Sequence, residues 1–571
     1  MTDSILFWNT VALEAVRVSH TDPDKRQQNG PTLSARALGI VHLAMYDAYA
    51  GVVGGAGFPR YLNPVPPLPP PGTSPADAVA GAAQITLIAL YPAQTDYFNA
   101  QLAIFDFTNT SFVFGRNVGN AILGLRANDM DARDCGYRTS NDRGRHRRDP
   151  DNPGQGFHAP FYGAQNRGFA ISTRHTLNPP PFGDGIDPDY LLALRNVRAK
   201  GIRPDLTATL PDTLFADRRT PEETLTGIYW AFDGANRLGT PPRLYNQIVR
   251  NVAVVQGNNE GQNARLFAFI NAAMADAGIL AWEQKYCHDF WRPVVAIREH
   301  DETLGPAALH AVAADFNDAD PGWLPLGAPS TNSPGVKNFT PDFPAYPSGH
   351  ATFGAAAFHI TRMFYGIAAN DKSDDTLFQG GGPFNIPAWF VSEELNGGNR
   401  DNDGTVRPRH TRLFPGGLWQ MIVENALSRI RLGVHFIFDA FDFTEDENGE
   451  LVPDFIDENI GGVGLGLRIA RDIFASGSGL APKQTPAASA VPPIITPAAN
   501  SPLPTSPAQP ANVGGCANTQ TAALTLEEEP EAGTDAATTV QSPFPSGISK
   551  QDQDQSSTPA QGAWPSGISE K

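Results

Sequence analysis

Apolar residues recur three and four positions apart through Thr32–Ala50, Pro75–Leu90, Phe114–Ala127, Pro221–Ala235, Pro242–Val255 and Asn263–Trp291. That period predicts helices buried along one face, and strand-like alternation is scarce, so a mainly α fold is expected. Long loops rich in Pro, Gly and Asp separate the helical segments, notably Asn63–Ser74, Arg138–Gly154 and Pro321–Pro347. Loops of that length inside a compact domain often carry function. Past Ser476 the chain turns to Pro, Ala, Ser and Thr with few large apolar residues, and residues 480–571 are expected to form a disordered tail.

The formal net charge of −18 argues against a nucleic-acid or anionic-membrane partner. The one basic run, Arg143 to Arg148, is enclosed by Asp142, Asp149 and Asp151 and reads as a solvated loop. Three cysteines, Cys135, Cys287 and Cys516, provide neither a disulfide framework nor a Cys-rich zinc site. Met1–His20 lacks the pattern of a signal peptide, and no stretch is read as reaching the ~18–20 apolar residues that cross a bilayer. The expectation is a cytoplasmic protein, or one secreted without a leader. Asp401–Gly404 and Glu445–Gly449 resemble fragments of calcium loops without the full ligand series, and read as exposed turns. In the tail, Pro-Ser-Gly-Ile-Ser occurs twice, after Phe544 and after Trp564. It reads either as a linear motif for a protein partner or as chance recurrence.

Three clusters carry the chemistry. In Lys285-Tyr-Cys-His-Asp-Phe-Trp-Arg292-Pro293 the two cations stand seven positions apart, close to two helical turns, which predicts one shared face with Pro293 ending the helix. Such a pair is commonly a solvated face. Here Trp282, Tyr286, Phe290 and Trp291 argue for burial, where unpaired cations need an anion. In Phe343-Pro-Ala-Tyr-Pro-Ser348-Gly349-His350, Ser348 occupies the N-cap position of a helical pattern over Ala351–Ile367. The free N–H groups at such a helix start make an anion seat beside His350. In Ser428-Arg429-Ile-Arg-Leu-Gly-Val-His435-Phe-Ile-Phe-Asp439, four-residue spacing predicts that His435 and Asp439 share a helix face. Asp439 then fixes the imidazole tautomer and frees the other nitrogen as ligand or nucleophile, although a His–carboxylate pair is often purely structural.

Taken in this order, the three motifs resemble the vanadium haloperoxidases, whose anion site is shared with type 2 phosphatidic acid phosphatases and bacterial acid phosphatases. The similarity runs from Ile5–Asn9 through Tyr229–Gly234 and Gly239–Arg243 to about Asp472. It implies vanadate as cofactor, with Lys285, Arg292, Ser348, Gly349 and Arg429 binding its oxygens and His435 binding vanadium. It further implies His350 as acid and base, Lys285 as an activating cation, and Asp233 paired with Arg429. Trp282 and Phe343 would form a halide pocket of the chloroperoxidase type, where the family's bromoperoxidases often carry histidine in place of Phe343. The implied substrates are hydrogen peroxide, a halide and an organic acceptor. The implied architecture is two packed helical bundles, residues 1–215 and 216–479, the second carrying the site; self-association stays open. The rival reading is a soluble acid phosphatase with His435 as nucleophile, and a third is a silent phosphate- or vanadate-binding protein.

Overall fold

The computed structural model describes residues 3–69, 71–132, 136–308, 318–378 and 389–486. The tail repeats, Cys135 and Cys516 lie outside the described residues. The fold is mainly α-helical, and the described strands form two short antiparallel pairs, Trp389–Phe390 with Arg412–Leu413 and Asp442–Glu445 with Leu451–Asp454.

The organising element is the 29-residue helix Glu260–His288. Asn259 and Gln262 form a reciprocal capping box at its start, which begins the helix three residues ahead of the expected Asn263. Gly30–Val53, Gly349–Phe364 and Gly461–Ser476 pack around it, so it is apolar on nearly every side rather than along one stripe. Contrary to the sequence expectation, this helix is long and apolar enough to cross a membrane by length and composition; 94% of its apolar window is buried inside the protein, as in a core helix. The Pro75–Leu90 helix falls as expected. The helix from Pro221 ends at Tyr229, six residues early, because the following turn holds Phe232 at φ 46° and Gly234 at φ 76°, outside helical space.

Two buried groups fix the packing that positions the site. Gly462 lets its helix approach the Gly349–Phe364 helix so closely that a Cβ there would stand 2.4 Å from the Ser348 carbonyl oxygen. On the central helix, fully buried Asp276 accepts from the backbone N–H groups of Phe169, Ala170 and Ile171 at 2.5, 2.7 and 2.9 Å. Replacing Asp276 with Ala leaves three buried donors unpaired, at about 1–3 kcal/mol each, so a loss of about 3 kcal/mol or more is expected in denaturant unfolding.

Two loop expectations fail. The basic run is solvated only in part: Arg148 is exposed, but Arg145 and His146 are each only 1% exposed. Residue 145 pairs with Phe290, the His146 N–H donates to the Asp289 carbonyl and the Trp291 N–H to that of Gly144, which draws the segment inward despite its charge. Residues 480–486, expected to open the disordered tail, are packed: Arg265 donates to the Leu480 carbonyl and Gln484 to that of Tyr61. Thr485 is buried. Asp401–Gly404 and Asp446–Gly449 are surface turns.

Candidate functional site

The site assembles where the central helix ends, at the start of the Gly349–Phe364 helix. Ser348 is the N-cap, its hydroxyl accepting from the Ala351 N–H at 3.4 Å, while its own N–H donates to the Asp439 carbonyl at 2.7 Å. These bonds tie the helix start to the segment that carries His435.

Lys285 and Arg292 do not share a helix face. The central helix stops at His288 because Asp289 adopts a left-handed conformation, φ 52°, and Arg292 is the N-cap of a new helix, Pro293–Arg298. Pro293 therefore begins a helix rather than ending one, consistent with proline's preference for the first helical position. Both cations still turn inward and are buried. Lys285 Nζ donates to the carbonyls of Pro344 and Ala345 at 2.8 and 2.9 Å. Arg292 donates through Nε to the Phe343 carbonyl and through Nη1 to that of Val434, both at 2.7 Å, while its Nη2 has no hydrogen-bond partner. Burial, with Arg292 adding to it, holds the Lys285 ammonium well below its ordinary range; burial pushes Arg292 down to about 9.

His435 and Asp439 likewise meet off a helix. The preceding helix ends at Arg431, and a short 3₁₀ turn, Ile437–Asp439, folds the carboxylate back. Asp439 Oδ2 lies 2.8 Å from His435 Nδ1 and accepts from the Phe436 N–H at 2.9 Å. On the other side of the ring, Arg292 Nη1 stands 3.0 Å from Nε2. A guanidinium only donates, so this network assigns the proton to Nδ1 and makes Nε2 the acceptor, its lone pair facing Arg292. Burial and the nearby Arg292 and Lys285 charges keep His435 neutral, and burial raises Asp439 to about 7.

Arg429 makes a two-point pair with Asp233, at 2.8 and 2.7 Å, that leaves its buried Nε unpartnered. His350 Nε2 donates to the Ala231 carbonyl at 2.6 Å, so Nδ1 is the basic nitrogen; burial first, then Arg429, pushes this imidazole down to about 3. The Trp282 and Phe343 rings stand 4.8 Å apart between centroids. Both border a cavity of about 200 Å³, together with Asp233, Gly349, His350, Arg429 and His435. Lys285, Arg292 and Ser348 are fully buried and stand behind that lining. All eleven site residues singled out in the sequence thus converge on one place.

The sequence reading missed His20, Gly30, His158 and Asp342, which also line the cavity. Burial pushes Asp342 up to about 6. No motif marks these residues; only the packing of the chain's first third against the central helix brings the first three there.

Fold and site together define a helical protein whose core encloses a multiply cationic seat around two imidazoles. A model for the vanadium chloroperoxidase N-terminal domain matches residues 1–168, and one for the second helical-bundle domain of that protein matches residues 265–442. The vanadium chloroperoxidase of Curvularia inaequalis is 35% identical over 83% of this chain and 90% of its own length. The chain belongs to the vanadium haloperoxidase family. Two solved structures share its fold: a bacterial vanadium-dependent iodoperoxidase, 17% identical with TM-score 0.54, covering 83% of this chain and 97% of its own; and a holo-type bacterial vanadium-dependent chloroperoxidase, 16% identical with TM-score 0.51, covering 81% and 95%.

Proposed function

We propose that this chain is a vanadate-dependent peroxidase of bromide and chloride, catalysing X⁻ + H₂O₂ + H⁺ → HOX + H₂O. The observation that carries the proposal is a pair of unmet donors: buried Arg292 Nη2 and Arg429 Nε lack partners, beside His435 Nε2, whose lone pair faces the Arg292 guanidinium. Unsatisfied buried donors of a cation are costly unless an anion completes them. An oxyanion with one coordination position for imidazole fits this donor set. His435 Nε2 would hold the metal, with Arg292, Arg429, Lys285, Ser348 and the Gly349 N–H around the oxygens.

Bound vanadate supplies a Lewis-acid centre that activates hydrogen peroxide for two-electron oxidation of halide. The protein's own part is positioning and proton traffic. Asp439 holds the His435 ring and its tautomer. The three cations offset anionic charge in a setting where water screens little. With an anion in the seat offsetting the Arg429 and Lys285 charges that lower its basicity, His350 Nδ1 would accept a proton from incoming peroxide and return one as water leaves. Trp282 and Phe343 strip water from the halide.

The halide argument gives a specific expectation. Phe343→Ala, which removes one desolvating ring, is expected to lower the ratio of chlorination to bromination by about tenfold, the scale of one desolvated contact, measured with monochlorodimedone at saturating peroxide. The function itself is tested by halogenation with purified apoprotein, with and without orthovanadate, beside hydrolysis of a phosphate monoester. Vanadate-dependent halogenation is expected. Vigorous ester hydrolysis without halogenation would instead identify His435 as a phosphatase nucleophile.

A further inference from the structure

His158 lies 127 residues before Lys285 in the sequence and belongs to no motif, yet its imidazole completes the aromatic wall. It stands edge-on to Trp282, with 5.9 Å between ring centroids and an interplanar angle of 85°, and 6.3 Å from Phe343. Its backbone is clamped to the same wall. The His158 carbonyl accepts from Trp282 Nε1 at 3.2 Å and from the Tyr286 hydroxyl at 2.8 Å, and its N–H donates to the Asp342 carbonyl at 3.0 Å. Gly30, at φ 81°, makes room for the ring: a Cβ there would lie 2.4 Å from His158 Cε1.

The ring's tautomer follows from Thr32. The Thr32 side chain is fully buried, and its hydroxyl stands 2.9 Å from His158 Nε2 with no carbonyl acceptor among the described residues. A buried hydroxyl proton needs an acceptor, so it goes to Nε2, and the imidazole proton resides on Nδ1. Nδ1 has no protein partner among the described residues, and the residue lines the cavity. Enclosure in the protein, with the neighbouring His20 adding to it, holds this imidazole down to about 4, so it is a neutral donor at ordinary pH.

We propose that His158 is the third member of the halide pocket, presenting a neutral Nδ1–H donor to the halide, with Thr32 as the positioning residue that fixes the donor tautomer. The inference rests on the reading of Trp282 and Phe343 as that pocket. Two rings offer only apolar faces and weakly positive edges, which desolvate an anion without binding it strongly. An N–H donor adds a directional bond, and that bond is strongest for the smallest, most charge-dense halide. His158 therefore biases the pocket towards chloride over iodide.

The test combines kinetics with bromide location in crystals of the wild-type protein. His158→Phe is expected to raise the chloride KM about fivefold to tenfold, the scale of one neutral hydrogen bond, with a smaller rise for bromide and the least for iodide. The kcat and the affinity for orthovanadate, read by calorimetry, are expected to stay unchanged. His158→Asn, whose amide nitrogen falls near the place of Nδ1, is expected to restore most of the chloride KM, and Thr32→Val to give an intermediate value. In the crystal, anomalous scattering is expected to place bromide within hydrogen-bonding distance of Nδ1. Equal KM changes for all three halides, or bromide on Trp282 and Phe343 but away from His158, would overturn the proposal and leave the aromatic pocket standing. Bromide absent from that wall altogether would overturn the pocket reading and this inference with it.

Discussion

Replacing Lys285 with Met is expected to lower kcat/KM for bromide oxidation by about 100- to 1000-fold, the effect of removing one preorganised charged donor from an enclosed site. The reason lies in how the ammonium is held. Its two protein partners are the Pro344 and Ala345 carbonyls, so no carboxylate pairs directly with it, and an anion in the seat is the partner that favours its charged form against burial. Methionine keeps most of the volume between Trp282 and Phe343, so the packing survives. Two carbonyls lose a donor, which predicts a modest fall in melting temperature beside the large kinetic effect. A stability loss with unchanged kcat/KM would remove Lys285 from the proposed machinery.

His350→Ala is expected to produce a second large loss, about 100-fold or more in kcat, the usual worth of positioned acid–base catalysis. The seat itself loses little, because His350 bonds the Ala231 carbonyl rather than any of the three cations. Orthovanadate affinity should therefore change far less than kcat, a split that separates His350 from Arg292, Arg429 and His435. Steady-state halogenation beside calorimetric titration reads both quantities on the same preparation.

Much of this architecture is legible in the sequence because helix period and residue chemistry are local signals. The N-cap at Ser348 follows from a Ser-Gly start before an apolar run, whereas the convergence of the three motifs is implied by their resemblance, in this order, to the vanadium haloperoxidases. Geometry between residues is less legible. Seven-residue spacing suggested a single helix through Arg292, but a left-handed turn at Asp289 breaks it, and aspartate at that position is not distinctive. Four-residue spacing likewise placed His435 and Asp439 on a helix, whereas a 3₁₀ turn achieves the same contact. Arg145 and His146 looked solvated because charge is a prior for exposure; backbone pairing with residues 289–291 overrides it. His20, Gly30 and His158 carry no signal at all, since their place in the site depends on packing across long stretches of chain.

The central claim, that the seat binds vanadate through His435, is tested most directly by calorimetric titration of orthovanadate into the apoprotein and into its His435→Ala variant, with folding of both checked by circular dichroism. The account predicts saturable one-to-one binding to the wild-type chain and a loss of affinity of about 100-fold or more in the folded variant, as expected when a metal ligand is removed. Equal affinity in the two proteins, or no binding to the wild-type chain, would contradict it.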